Sequence, residues 1–147
     1  MDAQYQEQNN IDVTIDIEEK RSDGPEYILN VALTNRLPEP LTTFHYSLPW
    51  VGWDSILLIA VETDAIGTII DKNLMIDDPG PARTTIQPGG SLSGNIPLSG
   101  RFPNLNEALK EHDVILFWSY QFLPIDAHPL KRVGGYLLIP QSSKQDM

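Results

Sequence analysis

Ile11, Val13, Ile15 and Ile17 alternate with Asp12, Thr14 and Asp16 near the start of the chain. Only an extended backbone sends successive side chains to opposite sides, so this period of two predicts a strand with one buried and one wetted face. The alternation returns at Tyr27, Leu29, Val31 and Leu33, after a turn spelled Arg21-Ser22-Asp23-Gly24-Pro25. The two runs read as an antiparallel pair.

Further strand signals follow at short intervals. Pro38 and Pro40 bracket a turn, and residues 41–47 are rich in Thr and aromatics, with Phe44 and Tyr46 expected opposite His45. Residues 56–61 are continuously apolar and are expected in the core, with residues 68–76 as the next strand beyond a turn at 64–67. Asp77-Asp78-Pro79-Gly80-Pro81 must be a loop, because proline lacks an amide donor. Residues 84–86 lead through a Pro88-Gly89-Gly90 turn into a strand in which Leu92, Gly94, Ile96 and Leu98 share one face. Residues 104–110 hold the one helical pattern, with Asn104 as cap and Glu107 at the capping-box position. Residues 114–122 are apolar on both faces, as in a central strand covered from both sides. Residues 133–139 form the last strand, with Gly134-Gly135 expected as a bulge.

About eight short strands and one short crossover helix predict an all-β chain, an immunoglobulin-like antiparallel β-sandwich. Residues 11–140 are expected to form its single domain, between a flexible leader at 1–10 and a flexible tail at 141–147. With 147 residues, 41% of them hydrophobic, the chain is long enough to bury a core without staples.

Twenty acidic against ten basic residues give a formal charge of −10, which repels phosphate backbones and argues against nucleic acid as a partner. The absence of cysteine removes disulfides, thiol chemistry and thiolate metal sites. No apolar run approaches the roughly 20 residues that span a bilayer, so membrane insertion is not expected. Met1-Asp2-Ala3-Gln4 lacks the basic and apolar regions of a signal peptide, and cytoplasm and periplasm both stay open.

The usual chemical motifs are missing. His45, His112 and His128 are scattered, and none belongs to a His-Glu-x-x-His pair. Glu111-His112-Asp113 is polar enough for acid–base work but follows a helix end, where charges meet solvent. Gly89-Gly90-Ser91-Leu92-Ser93-Gly94 misses the Gly-x-Ser-x-Gly spacing of a nucleophile elbow, and no lysine follows it as in a phosphate loop. No catalytic residue and no cofactor are therefore expected. Asp71, Asp77 and Asp78 could offer oxygens to calcium, although their spacing matches no EF-hand.

Residues 48–53 stand apart. In this Pro- and Gly-punctuated connection, Leu48, Trp50 and Trp53 could present large amphipathic surfaces to a protein partner, or the indoles could fold inward and plug the end of the sandwich.

The succession Leu33-Thr34-Asn35, Glu39-Pro40-Leu41-Thr42, Leu48-Pro49-Trp50, Ile86-Gln87-Pro88-Gly89-Gly90-Ser91-Leu92 and Ile96-Pro97-Leu98 resembles the Ig-like propeptide domain of deuterolysin-type metallopeptidases. The resemblance covers residues 27–102 and implies a domain that shields a peptidase or another partner. That family's zinc-binding peptidase domain has no counterpart here, so nothing catalytic carries over. The expected function is a non-enzymatic protein-interaction domain, as inhibitor or accessory protein, that binds through loops at one sandwich end. The alternative is a small-ligand or calcium-binding module built around residues 71–78.

Overall fold

A computed structural model describes residues 4–8, 11–20, 26–64, 66–73, 80–125 and 127–142. The turn expected at 21–25, the loop residues 77–79, the end of the 68–76 strand and most of the expected tail lie outside the described residues. Nine strands form among the described residues: β1 (Gln4–Gln8), β2 (Ile11–Lys20), β3 (Glu26–Asn35), β4 (Leu41–Phe44), β5 (Ile56–Glu62), β6 (Arg83–Ile86), β7 (Ser91–Pro97), β8 (Val114–Tyr120) and β9 (Val133–Ile139). Two short helices, α1 (Leu98–Arg101) and α2 (Leu105–Glu111), lie between β7 and β8.

The chain is all-β in character, with three antiparallel sheets ordered β1-β2-β3-β7, β4-β6 and β5-β8-β9. The helices carry the chain from the first sheet to the third. The alternation at the start of the chain does what its period demands: Ile11, Val13, Ile15 and Ile17 are buried beside Leu29, Val31 and Leu33 of β3, in a register that pairs Ile15 with Val31. β8 answers from the third sheet with Val114, Leu116, Trp118 and Tyr120, and residues of all three sheets belong to one buried cluster.

Several expectations change. Residues 4–8 of the expected leader form a strand: Gln4–Gln8 pairs with Ile11–Ile15 and supplies hydrogen bonds to an edge that β2 would otherwise expose. The expected 68–76 strand reduces, within the described residues, to a bridge between Ile69 and Val61, flanked by Ile70 N–H donating to Ala60 O (2.9 Å). Gly134 and Gly135 form no bulge; they keep regular register opposite Ser119 and Trp118. Residues 41–47 do not run straight either. β4 ends at Phe44 and a 3-10 turn at His45–Ser47 follows, which lets the Phe44 and Tyr46 rings stack with centroids 5.5 Å apart.

Asn104 precedes α2 with φ −97° and ψ 10°, away from the extended geometry of a capping residue, and its side chain makes no cap bond. Glu107 pairs with Lys110 at 2.9 Å instead of closing a capping box. Gln141, first residue of the expected tail, is tied down by N–H donation to Asp113 Oδ1 (2.7 Å) and by its side-chain amide to Lys110 O (3.1 Å).

One buried polar group organises the loops at the end of β3. Asn35 is fully buried; its amide donates to Glu39 O (2.8 Å) and Ile86 O (3.0 Å), and its Oδ1 accepts from Leu37 N–H (2.9 Å). Its backbone N–H and C=O bond Gly90 and Gly89, which fastens the turn where Gly89 takes φ +75°. Asn35→Ala strands those partners without changing the apolar core. Chemical denaturation should show a loss of about 2–3 kcal/mol, the cost of burying unpaired polar groups.

Tyr120 is fully buried and donates its phenol to Ser47 O at 2.9 Å. Burial pushes its ionisation above the ordinary tyrosine value of 10.0. A folded-state value above the unfolded one means that this contribution is complete below about pH 10 and fades as pH rises past it. In alkaline denaturation series the native chain should therefore lose stability more steeply than Tyr120→Phe.

Candidate functional site

The connection at residues 48–53 is positioned by its own backbone and by β7. Leu48 is only 1% exposed and sits in the core, so it offers no surface to a partner. Ser55 Oγ lies 2.7 Å from Leu48 O and 2.8 Å from Gly52 O, which pins the turn. Trp50 is half-buried and lies over Gly94 of β7. A Cβ there would fall 2.0 Å from Trp50 Cγ, so glycine is what admits the indole. Trp53, also half-buried, donates Nε1–H to Asn73 O (3.0 Å) and lies under the Arg101 guanidinium, 4.2 Å from the ring centroid. All three side chains expected to meet a partner thus have partners within the chain.

The histidines sit on separate elements. His45 Nδ1 is 2.8 Å from Thr84 Oγ1, and His112 Nδ1 is 3.4 Å from Glu62 on another element. Asp71 borders a groove of about 400 Å³ with Glu62, Glu107 and Glu111. Asp77 and Asp78 lie outside the described residues. Among the described residues no three histidine or carboxylate side chains converge as metal ligands. A second cleft, about 360 Å³, opens between the Tyr46–Ser55 segment and the end of β8, with Asp54 and Arg132 among its lining residues.

One sheet face is left bare among the described residues. In β5-β8-β9 one side of each strand enters the core; the other side carries Leu57, Ile59, Phe117, Tyr136 and Leu138, which are 41–58% exposed. Ile59, Phe117 and Tyr136 are direct cross-strand partners in one row, and the Phe117 and Tyr136 rings meet at 6.2 Å with a 51° tilt. Val61 and Ile115 extend the face as half-buried residues, and Ile69, 66% exposed, borders it across the bridge to Val61. The outer side of the first sheet has the opposite character. There Asn30 donates to Asp16 (2.9 Å), Thr34 bonds Ser91 (2.7 Å), and Thr14 and Ser93 complete a polar surface.

The sequence places the β5 and β8 parts of this face in the core. Residues 56–61 read as core and residues 114–122 as covered on both sides, yet the described residues place a second layer on one side only, leaving Leu57, Ile59 and Phe117 uncovered. The signal was present in the sequence: Tyr136 and Leu138 alternate with the inward-facing Leu137 and Ile139, so both faces of the third sheet were apolar there too.

The segment beside the face is held by Asp64. Its carboxylate accepts from Gly67 N–H (2.6 Å), Thr68 N–H (3.0 Å) and the Thr68 hydroxyl (2.7 Å), while Gly67 takes φ +73°. The Thr68 hydroxyl bond, foremost among these, lowers its ionisation from 3.8 to about 2. A depressed folded-state value means that the turn's stabilisation is intact above the unfolded value and lost as pH falls through the folded one. Amide exchange at Gly67 and Thr68, corrected for intrinsic rates, should therefore accelerate as pH drops from about 4 toward 2.

Comparison with protein-family models and with curated proteins finds no match to this sequence.

Proposed function

We propose that this chain is a non-enzymatic protein-interaction domain with an immunoglobulin-like sandwich architecture, and that its contact surface is the outer face of β5-β8-β9. The shared core between the inner faces of the two larger sheets supports the sandwich reading. The contact reading rests on the contiguous apolar face of Leu57, Ile59, Phe117, Tyr136 and Leu138. Covering such a patch lowers the free energy by about 25 cal/mol per Å² of apolar surface removed from water, and patches of this kind mark association sites. The polar outer face of the first sheet makes no such demand.

An inhibitor or accessory role of the kind implied by the resemblance to deuterolysin-type propeptide domains is compatible with this surface. It relocates contact from the loop carrying Trp50 and Trp53 to a sheet. A small-ligand or calcium role has less support, since it rests on Asp71 alone among the described members of that acidic segment.

Photo-crosslinking residues introduced at Phe117, at Ser93 on the polar face and at Trp50 separate these surfaces. In native lysate, position 117 should yield crosslinked protein, while positions 93 and 50 yield little. Crosslinks from position 50 with none from 117 would return the contact site to the loop.

A further inference from the structure

We infer that the occupant of this face is a second copy of the chain, docked sheet to sheet about a two-fold axis that runs across the strands. The inference rests on the reading of the face as a contact surface and adds who covers it. The exposed area fits a second copy. Five side chains 41–58% exposed, with Ile69 beside them, amount to a patch on the order of 600 Å², at the upper end for a monomer's largest apolar patch. A standard interface takes about 800 Å² from each partner, so one such face supplies most of one side. Pairing with its own copy covers both bare faces in a single contact, and two-fold dimers are the commonest symmetric assembly.

Charge sets the direction of the axis. At the end where β9 begins stand Lys131 and Arg132, with Asp54 across the neighbouring cleft, and Arg132 reaches the outer side of β8, donating from Nη1 to Ser119 Oγ at 3.0 Å. At the opposite end, just past β5 and just before β8, stand Asp64 and Asp113. A two-fold axis along the strands would set each end on its own kind. An axis across the strands sets the basic end of one copy on the acidic end of the other, and places the Ile59-Phe117-Tyr136 row against its own counterpart. The face is therefore self-complementary in one orientation: apolar in the middle, with the Lys131-Arg132 pair at one end and the Asp64 and Asp113 carboxylates at the other. Its outward strand positions carry no carboxylate, so no acid is buried by the contact.

Sedimentation velocity of the purified full chain across a dilution series tests this. The native chain should run as a dimer at micromolar concentration. Phe117→Glu and Tyr136→Lys, both at exposed positions, should weaken the dimer at least tenfold while circular dichroism stays native; the two variants guard against a folding defect in either one. Arg132→Glu should weaken it several-fold, because the new carboxylate meets the partner's acidic end. A chain that stays monomeric overturns the second-copy inference; if crosslinks from position 117 persist in lysate, the face itself remains a contact surface. A dimer indifferent to both face variants overturns the inference and shows that association lies elsewhere. A dimer that is broken by the face variants but unchanged or tightened by Arg132→Glu overturns the proposed axis.

Discussion

The structure depends on the burial of one face of β2 and β3 against one face of β5 and β8. Ile11, Val13, Ile15, Leu29, Val31 and Leu33 on one side and Ile56, Leu58, Leu116, Trp118 and Tyr120 on the other belong to one buried cluster. A strand spends half of its side chains on such a core. What the other half carries is left to solvent or to a partner, and this chain answers differently on its two larger sheets. On the first it places Thr, Ser, Asn and Asp; on the third it places Leu, Ile, Phe and Tyr.

The smaller sheet and the long connections are fastened mostly by hydrogen bonds. Thr43 donates to Leu123 O and Ile125 N–H donates to Thr42 O, so the segment after β8 is laid along β4. Asn35 joins the end of β3 to the end of β6 and to the glycine turn before β7. These bonds are buried or half-buried, where an unmade bond costs more than a made one contributes. The same economy of partners explains the tryptophan-bearing connection. Gly94 opens room for one indole and Arg101 covers the other, so the tryptophans pack onto the end of the molecule while still bordering a cleft of about 250 Å³.

The contrast between the outer faces carries the functional reading. A bare apolar sheet in an acidic chain is a liability unless something covers it, because it lowers solubility and invites indiscriminate association. Charged residues at both ends of the face, with no carboxylate at its outward strand positions, limit which surfaces can lie across it and in which direction. Specificity on such a surface comes from the ends, and affinity from the middle.

Much of this was legible in the sequence. The period of two in residues 11–17 and 27–33, the Pro88-Gly89-Gly90 turn and the short helix near Leu105 determined strands, turn and helix locally, because pleat, ring closure and glycine freedom act over a few residues. The all-β class followed. The sequence also held the apolar runs at 56–61 and 114–122 that now form the bare face. What it could not determine is which side of them would be covered, since a run apolar on both faces looks the same whether two layers enclose it or one. Nor could it say that Trp50 would turn onto Gly94, 44 positions away, or that residues 4–8 would close the edge of β2. Those outcomes are contacts between distant segments, and only the tertiary packing of the sheets decided them.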